Sequence, residues 1–169
     1  MQTTINKPLD LFTDGGVIGM NPSPIGGTWA FCLVDSAGER VTCDSGVITP
    51  VEAGLPAITN NLTELLAIVN GRKALPYAWS GTIYSDSWVS LQRVFHAAKL
   101  ANVPPWLITR LQTLQRDGWF SGCHWTLLDG HPTKAQLAAG VGKRGGPVSE
   151  HNVFCDAECT RLARQAVAQ

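Results

Sequence analysis

No apolar run in this chain approaches the roughly 20 residues that cross a bilayer as a helix. The longest, such as residues 29–34 and 65–69, have the length of core strands or helix faces, so no membrane-spanning segment is expected. The first seven residues are polar and no long apolar segment follows them, which gives no sign of a secretory leader and makes the cytoplasm the expected compartment. An excess of one charge is also lacking. Thirteen Lys and Arg balance thirteen Asp and Glu, so a polyanionic partner would have to be met by a local patch rather than by bulk charge. The five cysteines show no paired short spacing and read as reduced thiols, neither a disulfide framework nor a zinc ribbon. Repeats and low-complexity stretches are absent too. What is present is a chain of 169 residues, 44% of them apolar and only 15% charged. That is enough to bury a sizeable core, and a single domain over 1–169 is expected.

Hydrophobic period and turn residues divide the chain. Residues 9–13 read as a short strand running into Asp14-Gly15-Gly16 and a Gly/Pro-rich turn. Residues 28–34 and 40–48 read as a β-hairpin around a Gly-containing loop. After a loop over 49–59 comes a helix with Leu62, Leu65, Leu66 and Val69 at helical spacing. A strand over 81–85, a helix over 88–100, a helix restarting at Pro104-Pro105 and a buried strand over 122–128 follow. Residues 129–147 read as an unpatterned Gly-rich loop, and a last helix starts at Ser149 with Cys155, Cys159, Leu162, Ala163 and Ala166 on its packing face. On that stripe His151, Cys155 and Cys159 are read as packing residues rather than zinc ligands. The order β-β-β-α-β-α-α-β-α predicts an α/β fold with a five-stranded mixed sheet, three antiparallel strands then two parallel, flanked by helices.

Four carboxylates stand where periodicity alone does not put them. Asp14 and Asp86 are each predicted to end a strand, Glu64 to lie early in a helix, and Asp156 to lie in the last helix. Plain readings exist for each: a turn aspartate at 14, a capping box between Asn61 and Glu64, a helix cap at Asp86, a solvated helix face at 156. Chemistry in open α/β sheets sits beyond the carboxyl ends of the strands, and the first and fourth strands would be parallel neighbours. Close carboxylates repel unless a proton or a cation intervenes. Oxygen ligands suit Mg²⁺ or Mn²⁺, and two such ions activate water and stabilise the leaving oxygen of a phosphodiester.

Five ordered segments carry a family likeness: Phe12-Thr13-Asp14-Gly15-Gly16 with Asn21-Pro22-Ser23-Pro24, Thr59-Asn60-Asn61-Leu62-Thr63-Glu64-Leu65, Tyr84-Ser85-Asp86-Ser87, Gly130-His131, and Asn152-Val153-Phe154-Cys155-Asp156. Together they resemble the type 1 ribonuclease H family over most of the chain, from about Leu11 to Ala163. The resemblance implies the ribonuclease H-like fold and a monomeric enzyme, without obligatory protein partner, that cuts the RNA strand of RNA–DNA hybrids regardless of base sequence and leaves 5′-phosphates. By that resemblance Asp14, Glu64, Asp86 and Asp156 hold two Mg²⁺ ions, with Mn²⁺ as substitute, and His131 assists proton transfer or product release. Asn21, Asn60 and Asn61 match positions that read 2′-hydroxyls, Thr59 a DNA-strand phosphate contact, and Asn152 a residue that orients Asp156 or a water.

The chain departs from the family in two places. Trp88 replaces a commonly polar residue, and its substrate role is left open; between Asp86 and His131 the Lys/Arg-rich protrusion of many bacterial members is missing. Lys143 and Arg144, in the loop after His131, are expected to form a mobile basic arm over the hybrid instead. Two alternatives stay open at this stage: a DNA-directed nuclease or junction resolvase on the same fold, and a catalytically silent hybrid-binding module.

Overall fold

The computed structural model describes residues 8–169. Its sheet is built from β1 (Leu9–Val17), β2 (Gly27–Asp35), β3 (Arg40–Ile48), β4 (Thr82–Ser85) and β5 (His124–Leu127), in the order β3-β2-β1-β4-β5. β1, β2 and β3 pair antiparallel, whereas β1–β4 and β4–β5 are parallel. That is the expected five-stranded mixed sheet.

Side chains alternate between the faces of the sheet, as a two-residue period requires. Leu11, Phe31, Leu33 and Ile83 enter the larger core, under α2 (Asn60–Lys73), α3 (Trp88–Phe95) and α4 (Pro105–Arg116). Phe12, Ala30, Cys32 and Val34 face a smaller core closed by Cys155 and Cys159 of α6 (Glu150–Val167). α2 is the central helix: every residue from Leu62 to Val69 is buried, so its pattern is continuous rather than striped. Its end is pinned by Arg72, fully buried, whose guanidinium donates to the carbonyls of Trp119, Pro76 and Tyr77 at 2.7, 3.0 and 2.7 Å.

The structure differs from the sequence reading in four respects. Two short helices stand where loops are expected, α1 (Pro50–Ala53) and α5 (Lys134–Ala139), each opened by a capping box, Thr49 with Glu52 and Thr133 with Gln136. Both are too short to show a period, but the boxes are legible. α3 stops at Phe95, five residues early, where Ala97 takes a left-handed φ of 49°. β5 is an edge strand and only partly buried. Cys32 and Cys43 are joined in a disulfide, against the expectation of reduced thiols. They lie opposite each other in the β2–β3 register, and a hairpin brings together cysteines that no short spacing would link.

Gly15 lets α2 approach β1 closely. A methyl group on Gly15 would overlap the backbone of Thr63 and Glu64, so the first half of α2 crosses β1 on bare main chain. Gly15→Ala should therefore cost about 1–3 kcal/mol of stability, the usual range for overpacking. A clear fall in the urea midpoint is the expected result, and an unchanged midpoint would refute the close approach.

Candidate active site

The acids come from four elements. Asp14 lies inside β1 rather than at its end: pairing with β2 continues through Asp14↔Ala30 to Val17. Parallel pairing with β4 stops at Phe12↔Tyr84, so the sheet opens on that side just before Asp14. Asp86 follows β4 directly and enters this crevice. Glu64 descends from α2, whose N-cap is Thr59, with its hydroxyl accepting from Leu62 N–H at 3.2 Å; the capping box with Asn61 does not form. Likewise Ser87, not Asp86, caps α3. Freed from capping duty, both carboxylates face the cleft.

Asp14, Glu64 and Asp86 converge, with one oxygen of each within 4.8 Å of the others. Asp156 stands outside that group, on the stretch of α6 that lines the same cleft, with Oδ2 3.6 Å from Nδ1 of His131. Asp14 and Glu64 are only 4% and 5% exposed, so their charges are desolvated as well as crowded. Burial, then the charges of Asp86 and Asp156, holds the Asp14 carboxyl well above the usual carboxylate range. Burial, then Asp14 and Asp86, does the same to Glu64. Asp86 is raised chiefly by burial, with His131 pulling it back down and Asp156 pushing it up. Glu64 Oε2 is buried with no hydrogen-bond partner. Convergent carboxylates with an orphaned buried oxygen are a donor set for a hard divalent cation such as Mg²⁺ or Mn²⁺.

A cleft of about 1220 Å³ surrounds this centre. It brings together Asp14, Glu64, Asp86, Asp156, Asn60, Asn61, His131, Lys143 and Arg144. Three sequence candidates lie elsewhere. Asn21 is exposed beside the cleft, its Oδ1 accepting from Asn60 N–H at 3.1 Å. Thr59 serves as the α2 cap. Asn152 is buried, and its amide donates to Thr13 O at 3.3 Å, tying α6 to β1 one residue before Asp14. It also lines a smaller cavity of about 240 Å³ with Asp86, His131 and Asp156.

His131 holds a left-handed φ of 51°, uncommon for a residue with a side chain, after Gly130, where a Cβ would meet Asp86 Oδ2 at 2.5 Å. The segment beyond it is not the unpatterned arm the sequence suggested. Asp129 accepts from the N–H groups of Arg144 and Gly146 at 2.8 and 3.1 Å, and Val141 bridges to Pro147, so Lys143 and Arg144 sit on a loop closed on itself. Sequence reasoning overlooked Thr160 and Arg164 on the cleft wall. Their signal was their place four and eight residues after Asp156 on one helix.

No protein-family model matches the chain. Among curated proteins it is 31% identical over 134 residues to a ribonuclease H of Thermus thermophilus, covering 79% of this chain and 63% of that one. It is 40% identical over 81 residues to the ribonuclease H of Rhodopirellula baltica, covering 48% and 45%. The chain thus spans between about half and just under two thirds of these relatives. In fold it resembles LC11-RNase H1, isolated from compost, with a TM-score of 0.65 at 15% identity over 95% of this chain and 99% of the other. The same neighbour in complex with RNA/DNA hybrid gives a TM-score of 0.65 over 94% of this chain and 99% of that one, at 15% identity.

Raised carboxylates weaken a fold as they ionise: the native state binds more protons than the unfolded one, so stability falls as pH rises from the unfolded value, about 4, towards the native one. In EDTA, Asp14→Asn should therefore melt above the parent at pH 7, by about 2–4 °C for each kcal/mol relieved. The difference should shrink towards pH 4. Parallel melting curves at both pH values would contradict the desolvated cluster.

Proposed function

We propose that the chain is a divalent-cation-dependent endoribonuclease of the type 1 ribonuclease H family, a reading supported by its likeness to the ribonucleases H of Thermus thermophilus and Rhodopirellula baltica. Its substrate is the RNA strand of an RNA–DNA hybrid, cut without regard to base sequence. The observation that carries this reading is the meeting of Asp14, Glu64 and Asp86, drawn from three elements, in the floor of an open cleft. We take it to act as a monomer and as one catalytic unit.

These carboxylates and Asp156 would hold two Mg²⁺ ions, with Mn²⁺ as substitute, which would supply Lewis-acid chemistry: charge neutralisation at the phosphodiester and acidification of water. The remaining tasks fall to the chain itself. Asp14 and Glu64, buried and fixed by β1 and α2, form the rigid part of the site; Asp86 and Asp156, half-buried, face the side from which a phosphodiester enters. His131 is exposed at the mouth beside Asp156, where an imidazole can take a proton from, or return one to, the reacting oxygens.

Recognition rests on groups that ignore base identity. The Asn60 and Asn61 amides offer a donor and an acceptor to 2′-hydroxyls, the feature that separates RNA from DNA. Asn21 supports them by holding Asn60 N–H, and Thr59 fixes the turn from which both project. Asn152 sets the position of α6, and with it Asp156. Lys143 and Arg144 face backbone phosphates from the closed loop.

Digestion of an end-labelled hybrid with Mg²⁺ tests the assignment. The parent should release fragments with 5′-phosphates and leave double-stranded DNA intact, and Asp86→Asn should lose about 100-fold or more in rate. Equal cleavage by both proteins, or equal cutting of double-stranded DNA, would overturn it.

A further inference from the structure

The cationic side of the cleft extends beyond the loop after His131. On α6 the residues that line the cleft are Asp156, Cys159, Thr160, Ala163 and Arg164, a ridge at three- and four-residue spacing. At 1.5 Å per residue, Arg164 stands about 12 Å along the helix from Asp156. Near Cys159 the cleft is also lined by Gly16, Val17 and Thr28, none of them charged.

The two arginines of this helix behave differently. Arg161 is tied to Glu158, with N–O separations of 3.2 and 2.9 Å, and takes no part in the cleft wall. Arg164 lines the wall and, among the described residues, makes neither an ion pair nor a side-chain hydrogen bond. A guanidinium is a planar fork of donors matched to phosphate oxygens, and one on a long helix is already positioned. A strand of duplex carries a phosphate about every 3.4 Å of axis, so about 12 Å corresponds to three or four nucleotides.

We infer that Arg164 is a phosphate-positioning residue that holds the hybrid backbone three or four nucleotides from the bond being cut. This rests on the proposed hybrid-cleaving activity and extends it. Arg164 touches no reacting atom: it fixes where along the cleft the strand lies, and complements Lys143 and Arg144.

The test is steady-state cleavage of a labelled hybrid with Mg²⁺ by the parent, Arg164→Ala and Arg164→Lys, at salt from about 50 to 200 mM. Arg164→Ala should raise KM about 3- to 10-fold, with a smaller change in kcat, and flatten the plot of log kcat/KM against log salt by about 0.7–0.9, the signature of one lost phosphate contact. Arg164→Lys should recover most of that slope, because the charge returns. A merely structural role would leave the salt slope untouched. If the parent cleaves hybrid and the alanine variant keeps both its KM and its slope, the inference is overturned while the activity stands. If the parent fails to cleave hybrid, the activity itself falls, and the inference with it.

Discussion

Crowded, desolvated negative charge is the constraint on which the rest of the site depends. Asp14 and Glu64 are almost without solvent, Asp86 adds its charge within 4.8 Å, and among the described residues no lysine or arginine forms an ion pair with the three. Such an arrangement opposes folding at neutral pH unless protons or cations compensate it. A fold that nevertheless builds it gains a pocket of fixed oxygens ready for a divalent ion. Stability is given up locally, and function follows from the same repulsion.

The architecture brings this about with few devices. β1 outruns its parallel neighbour, so the sheet opens beside Asp14 while the antiparallel side stays closed. Gly15 carries no side chain to hold the backbone of Thr63 and Glu64 away from β1. Asn152 ties α6 to Thr13, which keeps Asp156 at the wall. Around this acidic floor the cations Lys143, Arg144 and Arg164 lie at the cleft. A chain with balanced net charge can thus meet a polyanion, since the field that matters is local.

Much of this was legible in the sequence, for physical reasons. The strand order and mixed sheet followed from period and turn chemistry; the four acids were singled out because periodicity did not place them, and the family resemblance joined them into one set. What escaped was what period cannot carry. β1 runs on through Asp14-Gly15-Gly16, because pairing with β2 overrides the turn tendency of that triplet. α1 and α5 are shorter than two helical periods. The Cys32–Cys43 link needs the hairpin register, and the loop carrying Lys143 and Arg144 is organised by the Asp129 carboxylate, a contact that leaves no pattern along the chain.

The central claim is that the acids form one cation site in the folded protein, and calorimetric titration with Mn²⁺ in two buffers of different ionisation enthalpy tests it most directly. Saturable binding should release protons at a pH just above the ordinary carboxylate range, because the raised carboxyls still carry protons there, and Glu64→Gln should weaken the binding at least about tenfold. Binding that is absent at millimolar Mn²⁺, or that is indifferent to Glu64→Gln and releases no protons, would contradict it.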